Sequence, residues 1–287
     1  MVSRHEDTKT RNRVLISGVS CFRVFVAAVI VSCVVSGFSR TVDAQPAQPA
    51  PPANMVLIPA GEFWMGRTHT TSLEQAIILE RDRRDDQPAH RIFVDAFYLD
   101  KYEVANIDYA RFAEATGAAR PWQWPGGKVA RAEERWPVSN VNWAEADSYC
   151  RWADKRLPSE AEWERGARGG LDRKRFPWGD QGGHGRAHTG SATGPTAVGS
   201  FPANDFGLFD MAGNVWEWTS DWYERDYYAI SALRNPAGPA TGDYKVIRGG
   251  GWTDGAHMNS FRNYADPGMR TLIIGFRCAR SVASGAR

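Results

Sequence analysis

Twelve tryptophans in 287 residues stand beside an almost complete loss of periodic patterning after Gly170, and this mismatch constrains the fold more than any other feature. Residues 177–207 are dense in Gly, Pro, Thr and Ser, with only short apolar punctuation such as Val198 and Phe201. Loops of that length must still satisfy their backbone N–H and C=O groups, so something other than a regular ladder has to order them. Buried indoles can do this, because each brings a large apolar face and one N–H for a loop carbonyl. A bound metal is the second means. The expectation is a body of few helices, short strands and long Trp-braced loops, and no internal repeat at a solenoid period is visible.

The regular elements that can be read lie mostly before Gly170. Met55–Gly66 (MVLIPAGEFWMG) reads as a strand, a Pro-Ala-Gly turn and a second strand, and Arg91–Asp100 (RIFVDAFYLD) as one further strand. A helix is expected over Asn106–Thr116, with Tyr109, Phe112 and Ala113 on one face and a stop at Gly117. A second spans Asn142–Arg156, where Asn142 followed by Glu145 forms a capping signal and Trp143, Ala146, Tyr149, Cys150 and Ala153 recur on one face. Ser159 with Glu162 repeats that signal, and Gly169-Gly170 ends the third helix.

Composition narrows the partners. With 43% hydrophobic and 24% charged residues the chain is globular rather than disordered. Residues 1–44 hold six basic and three acidic side chains, and the remainder carries 29 basic against 30 acidic, so nothing electrostatic points to nucleic acid. The basic start, the apolar run Val24–Phe38 and the small residues of Val42-Asp43-Ala44 read as a signal peptide over 1–44. That run is shorter than the about 20 residues a membrane span needs, so no stable span is expected after cleavage. An uncleaved anchor is the alternative. Residues 45–54 (QPAQPAPPAN) form a Pro/Ala linker, and the folded domain is expected over 55–282. Export, periplasmic or secreted, makes the remaining even pair Cys150 and Cys278 candidates for a bridge, with two buried thiols as the alternative.

Several blocks now carry a family signature: Gly61-Glu62-Phe63-Trp64-Met65-Gly66, Glu103-Val104-Ala105-Asn106, Arg156-Leu157-Pro158-Ser159-Glu160-Ala161-Glu162-Trp163-Glu164, Gly213-Asn214-Val215-Trp216-Glu217-Trp218, Arg248-Gly249-Gly250 and Gly275-Phe276-Arg277-Cys278. In this order they resemble the formylglycine-generating-enzyme, or sulfatase-modifying-factor, family. The resemblance implies an α+β, C-type-lectin-like fold with little regular secondary structure, and a Cys150–Cys278 disulfide. It also implies Ca²⁺ held by Asp210, Gly213, Val215 and Glu217, a set of carboxylate and carbonyl oxygens that suits a hard cation. The alternative is a Trp-rich turn in which Glu217 is salt-bridged. The family's further calcium site has no asparagine to begin at, because the matching stretch reads Ala187-His188-Thr189.

Function turns on a departure from that pattern. Catalytic members hold two cysteines after Arg-Gly-Gly that bind copper(I), for which soft thiolates are suited. Here Asp254 and Asn259 stand at those positions, or Met258 at the second if the count runs back from Arg262, and Gly251 replaces the usual serine. Copper-dependent formylglycine generation is therefore the least expected activity. The leading expectation is a calcium-stabilised binding or accessory domain that takes a peptide, glycan or small molecule in a groove lined by Trp252, Asp254, His257, Asn259 and Arg262. For each of these a loop staple, core packing or a structural ion pair is the alternative, and His184 and His188 read as solvated loop residues. The rival is a periplasmic enzyme of different chemistry, of the kind implicated in maturing the siderophore pyoverdine. No HExxH, P-loop, GxSxG or GxGxxG motif offers another route.

Overall fold

The computed structural model describes residues 52–68, 85–255 and 258–282. The expected leader at 1–44 and most of the linker lie outside the described residues. No helix among the described residues is long and apolar enough to cross a membrane.

Among the described residues, three small sheets and three short α-helices make up the body. β1 (Met55–Ile58), β4 (Phe97–Asp100) and β9 (Ala279–Ser281) form one antiparallel sheet with β4 at its centre. β2 (Gly61–Met65) pairs with β3 (His90–Val94). The third sheet runs β7 (Asn263–Ala265), β6 (Lys245–Arg248), β5 (Trp216–Trp222) and β8 (Ile274–Gly275), with β5 and β8 parallel. The two strands read from Met55–Gly66 are thus present, but they join different sheets rather than each other.

The stretch Arg91–Asp100 is not one strand. It breaks at Asp95-Ala96, where the Asp95 amide donates to Asn235 Oδ1 at 2.8 Å instead of entering a ladder. The burial patterns give the reason: β3 alternates, as a strand with one wet face does, whereas β4 is buried along its whole length as a central strand. An apolar run alone cannot mark the point where one sheet hands over to another.

The helices follow their local signals. α1 (Asn106–Thr116) closes on Gly117, whose φ of 73° suits a residue without a Cβ. α2 (Trp143–Trp152) and α3 (Glu160–Arg168) each begin with a complete capping box, Asn142 with Glu145 and Ser159 with Glu162. α2 ends four residues before the expected Arg156, because Asp154 turns to a φ of 58° and Arg156 leaves the helix to exchange backbone hydrogen bonds with Ala279. On the buried face of α3, a Cβ added at Gly166 would lie 2.7 Å from Leu99 Cδ2, so this helix rests directly on β4.

Two apolar cores result. One gathers Tyr109, Phe112, Tyr149, Trp216, Trp218 and Phe276 around α1 and α2; the other gathers Ile58, Ile92, Phe97, Leu99 and Trp163 beneath α3. The Cys150–Cys278 disulfide lies fully buried in the first, with Cα atoms 5.6 Å apart across 128 positions of sequence. Its closure constrains a long stretch of the unfolded chain. The Cys150→Ala/Cys278→Ala double variant is expected to lose about 2–5 kcal/mol, measured as a shift in the urea midpoint of oxidised protein.

Candidate functional site

The segment expected to bind calcium is the loop that leads into β5. Asp210 and Asn214 hold φ values of 56° and 61°, and Gly213 one of 87°. A Cβ at Gly213 would sit 2.4 Å from the His188 carbonyl oxygen, so the incoming Gly-rich loop presses directly on this turn. The Asn214 amide donates to that same carbonyl at 2.9 Å. His188 is thereby part of the packing of the turn, and its Nε2 also lies 2.9 Å from the Gly194 oxygen, whereas His184 is exposed.

Around this turn three buried carboxylates share one buried cation. Glu217 takes a bidentate contact from Arg277, both arms at 2.7 Å, and its Oε2 also accepts the Trp163 indole N–H at 2.9 Å. Glu103 accepts the Val215 amide at 3.1 Å and the Asn214 side-chain amide at 2.6 Å. Asp210 accepts the Gly199 amide at 2.7 Å. Burial, reinforced by Asp210 and Glu217, holds Glu103 well above the usual carboxylate range. Burial likewise pushes Asp210 up to about 6. Ionising all three against Arg277 alone leaves surplus negative charge in a low-dielectric interior, an arrangement that a cation would relieve.

The oxygen-only donor set fits calcium in kind, since a carboxylate that accepts from an arginine keeps lone pairs for a second partner. Among the described residues no three His, Cys, Asp or Glu side chains converge as a metal-ligand group, so a cation here would rely on main-chain carbonyls. Sequence reasoning gave Glu103 and Arg277 no role, although both stand in the quoted blocks. Their signal was a charged residue flanked by apolar ones in segments otherwise destined for the core.

The loop after Arg-Gly-Gly is pinned at both ends. Arg248 is fully buried and reaches Glu160 at 3.2 Å and Glu164 at 2.6 Å. Arg262, also buried, clamps both oxygens of Glu160 at 2.7 and 3.0 Å. Arg262 is therefore a structural ion pair and not a groove-lining residue. Asn259 is buried as well, its side chain donating to the Lys174 carbonyl at 3.2 Å. Asp254 staples the loop by accepting the Trp216 indole N–H at 2.7 Å and the Gly251 amide at 2.9 Å. Trp252 lines a cavity of about 300 Å³ that Trp124, Trp136 and Leu272 also wall. His257 lies outside the described residues.

This geometry can be set beside known proteins. The sequence model of the sulfatase-modifying factor enzyme 1-like domain matches residues 39–282. The chain belongs to this family. Among sulfatase-modifying-factor relatives, the bovine formylglycine-generating enzyme is 34% identical over 81% of this chain and 76% of its own length. The serine/threonine-protein kinase pkn1 of Chlamydia pneumoniae is 37% identical over 85% of this chain, which spans only 41% of that kinase. The solved structure of PvdO from Pseudomonas aeruginosa superposes with a TM-score of 0.67 at 30% identity, covering 79% of this chain and 94% of that one. The sulfatase-modifying-factor fold expected from the sequence is thus the fold the chain has.

One acid beneath the loop predicts a pH response. Asp221 accepts the Glu160 amide at 2.8 Å, and burial, aided by the Glu160 charge, pushes it up to about 7. Between about pH 4 and that value the folded state binds more protons than the unfolded state, so stability falls as pH rises through the window and levels off above it. Asp221→Asn is expected to flatten that slope, compared by urea midpoints at about pH 5 and about pH 8.

Proposed function

We propose that this sulfatase-modifying-factor chain is an exported, calcium-stabilised binding domain. In this reading the cavity beside Trp252 takes up a ligand, and the domain does not oxidise a thiol. The observation that carries the reading is the fate of the sulfur atoms. Cys150 and Cys278, the two cysteines of the body, are joined to each other in the core. In the loop after Arg-Gly-Gly, a carboxylate at Asp254 receives two N–H groups where copper-binding relatives are expected to hold a thiolate. A carboxylate is a hard ligand, unsuited to copper(I).

The cavity argues for binding on its own account. At about 300 Å³ it falls at the lower end of small-ligand pockets and presents indole faces with a few polar groups, the usual composition of such sites. Export is consistent with the buried disulfide, which requires an oxidising compartment to form and persist. Calcium at Asp210, Gly213, Val215 and Glu217 is supported by the surplus negative charge around Arg277.

Two experiments test the proposal. A peptide carrying a Cys-x-Pro-x-Arg motif, incubated with the purified protein with and without copper, is expected to keep its thiol by mass spectrometry. Formation of the aldehyde would overturn the binding-domain reading. Chelation is expected to lower the melting temperature, with calcium restoring it and metal analysis returning about one equivalent. A midpoint indifferent to chelator, in protein that contains no calcium, would remove the metal from the proposal.

A further inference from the structure

Arg173-Lys174-Arg175 is a run of three basic residues whose backbone is held from within the body. Thr68 Oγ1 donates to the Arg173 carbonyl at 3.2 Å, Arg168 Nη1 and Asn259 Nδ2 each donate to the Lys174 carbonyl at 3.2 Å, and the Asn259 amide donates to the Arg175 carbonyl at 2.7 Å. Arg173 itself takes a φ of 60°, a conformation that costs energy for a residue with a Cβ. The protein thus fixes the base of three cationic side chains in succession.

These three wall a small cavity of about 10 Å³, room for one atom the size of a water. Arg67 and Arg168 complete the charged wall, Thr68 and Ser260 add hydroxyls, and no Asp or Glu is among the lining residues. Part of the charge is answered from behind: Arg168 meets Glu164 at 2.7 Å, Lys174 meets Asp180 at 2.6 Å and Arg67 Nε meets Asp86 at 2.8 Å. Two guanidinium groups keep donors to spare. Arg67 is only 7% exposed, and its terminal nitrogens make no hydrogen bond among the described residues, yet they are not sealed from solvent. Arg173 meets Asp172 only at 3.9 Å and rests its guanidinium on the Trp64 ring, 4.5 Å from the centroid.

Five cations around one small space repel each other, and an anion between them relieves that repulsion. Size narrows the anion. The cavity admits a single oxygen, so the rest of the group stays at the mouth, where Arg173 and Lys174 are half-exposed. We propose that this is an oxyanion site: one oxygen of a phosphate or sulfate group enters and accepts the terminal N–H groups of Arg67, and the remaining oxygens accept from Arg173 at the mouth. Guanidinium forks suit such a group because each offers parallel donors to its oxygens. The site shares no lining residue with the cavity beside Trp252, so the two are tested separately. A free ion and an esterified group present the same oxygens, and the shared chemistry is the tetrahedral oxyanion.

The test is calorimetric titration of the purified protein with inorganic phosphate, inorganic sulfate and acetate, at constant ionic strength set by sodium chloride. Saturable binding of phosphate or sulfate, with acetate about fivefold weaker, is the expected result. Arg173→Glu, at an exposed position, is expected to weaken phosphate about tenfold. Arg131→Glu makes the same charge change at an exposed residue outside the site and is expected to leave the affinity within about twofold. O-phosphoserine separates the sources: tighter binding than inorganic phosphate means that the group arrives on a larger ligand, and otherwise the free ion is what the site takes. No saturable heat with either oxyanion, acetate matching phosphate, or equal weakening by Arg131→Glu would overturn the proposal. None of these results bears on the binding-domain reading, which falls only if the copper assay yields aldehyde.

Discussion

The contact between Arg277 and Glu217 holds the architecture together. Glu217 sits in β5 and Arg277 just before β9, and the same guanidinium donates to the carbonyls of Asp100 at the end of β4 and Phe209 in the approach to the expected calcium turn. On the other side Glu217 receives the indole of Trp163 from α3. One buried pair therefore reaches two sheets, a helix and a loop. Removing either partner would strand a charge away from water, which is far costlier than the net worth of the pair itself.

The same economy recurs wherever the backbone is irregular. Trp143 donates to the Thr219 carbonyl and Trp218 to the Val141 carbonyl, tying α2 and the loop before it to β5. Glu160 and Glu164 of α3 receive Arg248 and Arg262, which fixes both ends of the loop after Arg-Gly-Gly. Loops that would otherwise expose unsatisfied groups are ordered by side chains of elements distant in sequence.

The candidate site was legible in unequal parts. The family blocks located the turn before β5 and the loop after Arg248, and both are where the structure concentrates its buried charge. The individual roles were harder to read. Arg262 and Asn259 looked like groove residues because polar side chains in a Gly-rich loop are normally wet, yet both are buried and Arg262 meets the buried Glu160. Asn106 was read as a helix start, and Trp124 had no reading at all.

The sequence by itself determined whatever depends on neighbours within a turn of chain. Both capping boxes, the glycine stops of α1 and α3, the family membership and the absence of a thiol after Arg-Gly-Gly are of this kind. Their physics is local, since a side chain three residues away is within reach whatever the rest of the molecule does. Tertiary structure alone decided which sheet each half of Arg91–Asp100 joins, that Arg277 pairs with Glu217 across 60 positions, and that Asn106 and Trp124 line one cavity with Trp252. Those outcomes depend on burial and on distances set by the whole packed core, and an ion pair or an orphaned N–H acquires its energy only once water has been excluded around it.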